Sequence, residues 1–136
     1  MRAKATPPLI LVVDDNEDSR ELYADYFDVV GFRVASARHG AEAVRHAQAL
    51  RPDVIVMDLT MPIMDGWAAT RLLRANPRTA RIPIIALTGH GFPGAADIAR
   101  AAGCDRYLVK PCVPADLALV VRELLAARPA PRRRTA

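Results

Sequence analysis

Short apolar runs rich in valine and isoleucine recur five times along the chain: LILVV at 9–13, FRVAS at 32–36, DVIVM at 53–57, IPIIAL at 82–87 and RYLV at 106–109. The first, third and fourth are apolar at both alternating positions, as parallel strands covered by helices on both faces must be. Helix-length segments lie between them. Asn16 to Val30 follows Asp/Asn cap residues and stops at Gly31. Ala41 to Leu50 follows Gly40 and ends before Pro52, and Gly66 to Ala75 carries Trp67, Leu72 and Leu73. A weaker helix over 95–102 ends at Gly103. Pro114 opens the last one, with Leu117, Val120, Val121, Leu124 and Leu125 at helical spacing. Strand and helix alternate five times, which predicts an α/β fold with a doubly wound parallel sheet. No internal repeat interrupts the pattern.

Composition narrows the class. The 136 residues suit one domain spanning 9–127, with a lead at 1–8 and a tail at 128–136. Apolar residues make up 51% and charged residues 25%, the balance of a soluble globular chain. No apolar run approaches the roughly 20 residues that cross a bilayer, and the segment after MRAKATPP is too short for a signal peptide. A cytoplasmic address is expected, with no membrane insertion. The net charge of +4 suggests nucleic acid until it is divided along the chain. Arg2, Lys4, Arg128, Arg132, Arg133 and Arg134 lie in the lead and tail, leaving 13 bases against 15 acids in the body. The tail RPAPRRRTA cannot bury a core and is expected to be disordered and solubilising. Cys104 and Cys112 bracket the fifth run, too far apart for the about 7 Å limit of a disulfide, so both are expected to be free thiols. His39, His46 and His90 are scattered and read as surface residues rather than metal ligands.

In a parallel doubly wound sheet the residue after each strand falls on one rim, where ligands bind. Asp14 and Asp15 end the first run, Asp58 ends the third, Thr88 follows the fourth and Lys110 follows the fifth. Three carboxylates brought together repel unless a cation sits among them. An all-oxygen donor set without histidine or cysteine suits a hard ion such as Mg²⁺, which keeps water for a substrate phosphate. A lysine and a threonine opposite match a phosphoryl group, whose transfer is catalysed by positioning and charge neutralisation. A carboxylate held in line can serve as the nucleophile. Each residue alone has a plainer role: Asp14 and Asp15 could cap a helix, Asp58 could begin a turn, Thr88 could cap, and Lys110 could be solvated. Their joint placement on one rim favours the site.

The motifs VVDDN, VIVMDLTMPIMDG, IPIIALTGH and CDRYLVKP, in this order and spacing, resemble the receiver domain of bacterial two-component response regulators, over nearly all of the chain. The resemblance implies a flavodoxin-like sheet in the order 2-1-3-4-5. It also implies Asp58 as phosphoacceptor, Asp15 as direct Mg²⁺ ligand and Asp14 as holder of a metal-bound water, with the Thr60 backbone carbonyl completing the shell. Lys110 resembles the lysine that pairs with the carboxylate and then the phosphoryl group, and the Lys110–Pro111 bond is expected to be cis as in the family. Thr88 and Tyr107 match the switch pair, and Thr60 and His90 occupy the tuning positions beside the acyl phosphate. Gly89 stands where the family often has alanine, so the loop TGHGFPG is expected to be mobile. The implied function is a phosphorylation switch, not a turnover enzyme beyond its own phosphorylation and dephosphorylation. Its implied partners are a histidine kinase or histidine phosphotransfer protein upstream and a protein downstream; the short tail predicts no specific DNA binding. Two alternative readings fit the residues less well. An aspartate-nucleophile phosphatase would show an Asp-x-Asp motif where DDNED places two adjacent acids. A constitutive interaction module with a dead site would lack a site residue, and none is missing.

Overall fold

The computed structural model describes residues 6–59, 64–89 and 91–127. Ten elements alternate strictly: β1 (Leu9–Val13), α1 (Glu17–Val29), β2 (Arg33–Ala37), α2 (Gly40–Leu50), β3 (Val54–Met57), α3 (Gly66–Ala75), β4 (Ile84–Thr88), α4 (Ala95–Ala102), β5 (Arg106–Val109) and α5 (Pro114–Ala127). The strands form one parallel sheet in the order β2-β1-β3-β4-β5. Both faces are covered, because successive side chains of a strand point to opposite sides. Ile10 and Val12 of β1 join Val54, Val56, Ile85 and Leu87 against Tyr23, Phe27, Leu117 and Val121 of α1 and α5. Leu11 and Val13 join Ile55, Met57, Ile84 and Ala86 against Ala43, Ala47, Ala69, Leu73 and Ala99 of α2, α3 and α4.

Element ends differ from the sequence reading by one or two residues, each for a local hydrogen-bonding reason. Asp53 precedes β3: its N–H donates to the Leu9 carbonyl at 2.8 Å and its carboxylate accepts the Leu9 N–H at 2.7 Å, closing the foot of the β1–β3 pair. Pro83 has no N–H to offer a ladder, and β4 starts after it at Ile84. Phe32 leaves the strand reading altogether: its N–H donates to the Phe27 carbonyl, and its ring meets Phe27 edge-on at 5.9 Å. Asn16 caps α1, its side chain accepting the Ser19 N–H at 2.9 Å. His39 is a cap rather than a bystander, its Nδ1 accepting the Glu42 N–H at 3.2 Å.

The edge of the fold away from the strands' carboxyl ends is clamped by one side chain. Arg74, in the last turn of α3, donates to the carbonyls of Gly103 at 2.9 Å, Ala80 at 3.0 Å and Ile82 at 2.6 Å, and to the Asp105 carboxylate at 2.8 Å. The same Asp105 oxygen accepts the Ile84 N–H at 2.8 Å, so one guanidinium ties the end of α3, the start of β4 and the α4–β5 turn. Gly103 admits it: the backbone there has φ 116°, and a Cβ would lie 2.7 Å from Arg74 Cγ.

At the opposite rim Gly66 has the comparable role. A Cβ on it would overlap the Asp58 carbonyl oxygen and sit 2.7 Å from Leu59 Cα, so α3 can begin this close to the end of β3 only with glycine. Among the described residues, nothing lies within 4 Å of a Cβ on Gly89. Gly66→Ala should therefore lower stability by about 3 kcal/mol through forced backbone displacement. Gly89→Ala should raise it by about 0.5 kcal/mol by restricting the unfolded chain. Urea unfolding midpoints at constant slope check both.

Candidate functional site

The parallel ladder runs one step past the strands and so places the rim residues by their backbones. The Asp14 N–H donates to the Ala37 carbonyl at 3.1 Å, that of Asp58 to the Val13 carbonyl at 3.0 Å, and that of Lys110 to the Thr88 carbonyl at 2.7 Å. Side chains from β1, β3 and β5 then meet at the point where the sheet order reverses, beside β1 and β3. Asp14, Asp15 and Asp58 each present a carboxylate oxygen within 4.8 Å of the others; Asp14 and Asp58 are buried and Asp15 is exposed. At that spacing two unit charges repel by about 1 kcal/mol in water and about 3 kcal/mol at an effective dielectric of 20.

Part of this repulsion is answered within the chain. Lys110 Nζ lies 2.6 Å from Asp14 Oδ2, and the other Asp14 oxygen accepts the Asn16 N–H at 2.9 Å. The Arg20 guanidinium donates to the Asp14 carbonyl at 2.9 Å, further fixing the β1–α1 turn. Among these four side chains, one ammonium against three carboxylates leaves a formal charge of −2. With donors that are all oxygen, that residue of charge suits a hard divalent cation and not a soft thiolate-seeking one. Cys104 and Cys112 are free thiols; burial pushes both up, and Asp116 adds to the rise at Cys112.

The structure brings Asp14, Asp15, Asp58 and Lys110 together as the sequence led us to expect. Thr88 ends β4 beside them, 2% exposed, and Tyr107 stands opposite Ala86, one step behind the rim. The Tyr107 hydroxyl is buried and has no hydrogen-bond partner among the described residues; a Cβ on Gly91 would come within 3.6 Å of it. The expected cis bond is present at Lys110–Pro111. Thr60 and His90 lie outside the described residues, so the carbonyl ligand and the two tuning positions receive no structural account. Sequence reasoning missed Arg20 and Tyr23, whose partners are distant or backbone atoms and carry no motif.

Fold and site together define an α/β domain with an acidic, lysine-paired cluster at its topological switch point. A family model for the response regulator receiver domain matches residues 10–122, and the chain belongs to that family. It is 39% identical over 128 residues to the transcriptional regulatory protein PrrA of Mycobacterium tuberculosis, covering 94% of this chain and 54% of PrrA. The chain thus spans about half the length of that relative. It is 33% identical over 105 residues to the polar-differentiation response regulator DivK of Brucella anthropi, covering 77% of this chain and 85% of DivK. Among solved structures, the chemotaxis protein CheY4 of Vibrio cholerae superposes with a TM-score of 0.83 at 31% identity, over 88% of this chain and 99% of that one. The receiver domain of the sensor histidine kinase PA1611 of Pseudomonas aeruginosa, which carries magnesium coordinated in its active site cleft, has a TM-score of 0.82 at 35% identity over 89% and 99%.

The two adjacent acids of β1 should separate in a stability measurement. Asp14→Ala removes the 2.6 Å partner of the Lys110 ammonium and the acceptor of the Asn16 N–H, and should cost about 1–3 kcal/mol. Asp15→Ala relieves repulsion at an exposed position and should be neutral or stabilising by about 0.5 kcal/mol. Thermal midpoints without added metal test the contrast.

Proposed function

We propose that this receiver domain is a phosphorylation-controlled switch in which Asp58 accepts a phosphoryl group from the phosphohistidine of a sensor kinase or phosphotransfer protein. The observation that carries the reading is the cluster itself: three carboxylates within 4.8 Å, two of them buried, with the Lys110 ammonium already seated on Asp14. Asp58, on the central strand β3, is the member placed between the other two acids and the rim residues of β4 and β5. Its carboxylate oxygen attacks phosphorus as the P–N bond to the donor imidazole breaks. The imidazole leaves with the bonding pair and takes up a proton, and an acyl phosphate remains on Asp58. Lys110 and Thr88 supply an ammonium and a hydroxyl for the charge that develops on the phosphoryl oxygens.

Asp14, Asp15 and Asp58, with the Thr60 carbonyl, would hold Mg²⁺, which neutralises carboxylate and phosphoryl charge when bound. Support comes from the −2 residual charge and from the magnesium-bound receiver of PA1611. Thr60 and His90 are read as the side chains that set the acyl phosphate lifetime. The receiver unit is taken as 9–127, flanked by 1–8 and 128–136, working in the cytoplasm where kinase domains present phosphohistidine. It acts by changing state, not by turning over a substrate.

Output is read as protein contact on the α4–β5 side, where Phe92, Ile98 and Val109 are each close to half exposed. Phosphorylation adds charge beside Thr88, whose hydroxyl can donate to a phosphoryl oxygen. Thr88 and Tyr107 are read as the switch pair, the Tyr107 ring turning inward into the space left as the Thr88 hydroxyl is drawn to the phosphoryl group.

Two measurements test this. Incubated with Mg²⁺ and a small acyl phosphate, the intact protein should gain the mass of one phosphoryl group. Asp58→Asn should gain none, and Asp15→Ala should gain almost none. Equal labelling of Asp58→Asn would overturn the assignment. Hydrogen exchange with and without a phosphoryl mimic at Asp58 should change in residues 89–108; a change confined to the loops holding Asp15 and Asp58 would remove the switch.

A further inference from the structure

Helix α1 bonds both to Asp14 of the Lys110–Asp14 ion pair and to the loop that follows Lys110. Its first turns hold the acid: the Asn16 N–H donates to the Asp14 carboxylate and the Arg20 guanidinium to the Asp14 carbonyl. Two turns into the helix from that cap, Tyr23 reaches the loop that follows the base. Its hydroxyl donates to the Cys112 carbonyl at 2.7 Å, across 89 residues of sequence and two residues beyond Lys110. The loop so held, Lys110 to Val113, joins β5 to α5, and its proline has no N–H to anchor it. The Lys110 N–H bond to the Thr88 carbonyl fixes the start of this loop, Tyr23 holds it at Cys112, and the Val113 carbonyl, which accepts the Asp116 and Leu117 N–H groups, joins it to α5.

The ring is locked where it stands. Tyr23 is 4% exposed and packs with Phe27, Leu117 and Val121 between the sheet, α1 and α5. Packing alone would be served by phenylalanine, as it is one turn later at Phe27. The hydroxyl is what distinguishes the position, and it stays a donor: burial, then Cys112 and Asp14, push its ionisation above the usual tyrosine range.

We propose that Tyr23 is a positioning residue for Lys110. By holding the Cys112 carbonyl it sets the length and direction of the loop that delivers the ammonium to the acidic cluster, while the same helix holds the opposing carboxylate. α1 is thus bonded both to the acid and to the loop that carries the base. The inference rests on the phosphoryl-transfer reading for its kinetic consequence, but not for its geometry.

The full chain is tested as wild type, Tyr23→Phe, Lys110→Ala and the double variant, with Mg²⁺ and a small acyl phosphate. Tyr23→Phe should slow phosphoryl gain by about tenfold at saturating donor, the scale of a charge-neutralising group displaced by a fraction of an ångström, with half-saturation by Mg²⁺ unchanged. In the Lys110→Ala background it should slow labelling no further, because the residue it positions is gone. A wild-type rate for Tyr23→Phe, or equal slowing in both backgrounds, overturns the proposal. Absence of labelling in the wild type would instead overturn the phosphoacceptor reading. Thermal midpoints then decide: the fall caused by Tyr23→Phe should shrink by half or more when Lys110 is alanine, and an equal fall in both backgrounds removes the coupling.

Discussion

The Lys110–Asp14 ion pair is the interaction on which the rim of this molecule depends. A parallel sheet delivers acids from β1 and β3 to one point whether or not their charges agree, and three carboxylates within 4.8 Å do not. The ammonium at 2.6 Å from Asp14 lowers the cluster to a charge that one divalent ion can balance. It does so from β5, two strands beyond β3, so the pair also closes the rim from one side of the switch point to the other. A buried pair of this kind adds little net stability against an apolar replacement, and its loss on one side is costly. Such a pair is better explained by what it keeps poised than by the folding energy it contributes.

Rigidity is distributed accordingly. On one edge Arg74 makes four hydrogen bonds that tie α3, β4 and the α4–β5 turn, and Gly103 has the backbone and the space that let it in. At the rim the Asp58 backbone is held by the ladder, and α3 starts against it through Gly66. The segment after β4 is built differently. Among the described residues, nothing crowds Gly89, Gly94 begins α4 with a left-handed backbone and no side-chain cap, and the Tyr107 hydroxyl behind it lacks a partner. A fixed acceptor site beside a weakly specified segment is the arrangement in which a local charge change can move a population rather than unfold the domain.

Much of the fold and most of the site were legible in the chain as written. Alternating runs of Val and Ile with capped helices specify a parallel sheet because period, propensity and covering helices agree locally. The rule that strand ends share a rim then turns Asp14, Asp15, Asp58, Thr88 and Lys110 from scattered polar residues into one group. Element ends were less legible. Asp53, Phe32 and Pro83 sit where a single hydrogen bond, ring contact or missing N–H decides the boundary, and none of these is a property of a local run.

What only the tertiary structure decided is which partner each rim residue takes. The sequence determined that a lysine and an acid would be near each other, but the choice of Asp14, with its second oxygen already committed to the Asn16 N–H, follows from how α1 leaves β1. Tyr23 reads in sequence as one more apolar position on the buried face of α1. Its role depends on a carbonyl 89 residues away, exposed to it only once α1 and α5 pack on the same face of the sheet. The Arg74 clamp is likewise invisible in sequence, since three of its four acceptors are backbone oxygens that every residue possesses. Local patterns encode which side chains are available and on which face. Long-range hydrogen bonds to the backbone have no residue type of their own, and so they appear only when the chain has closed on itself.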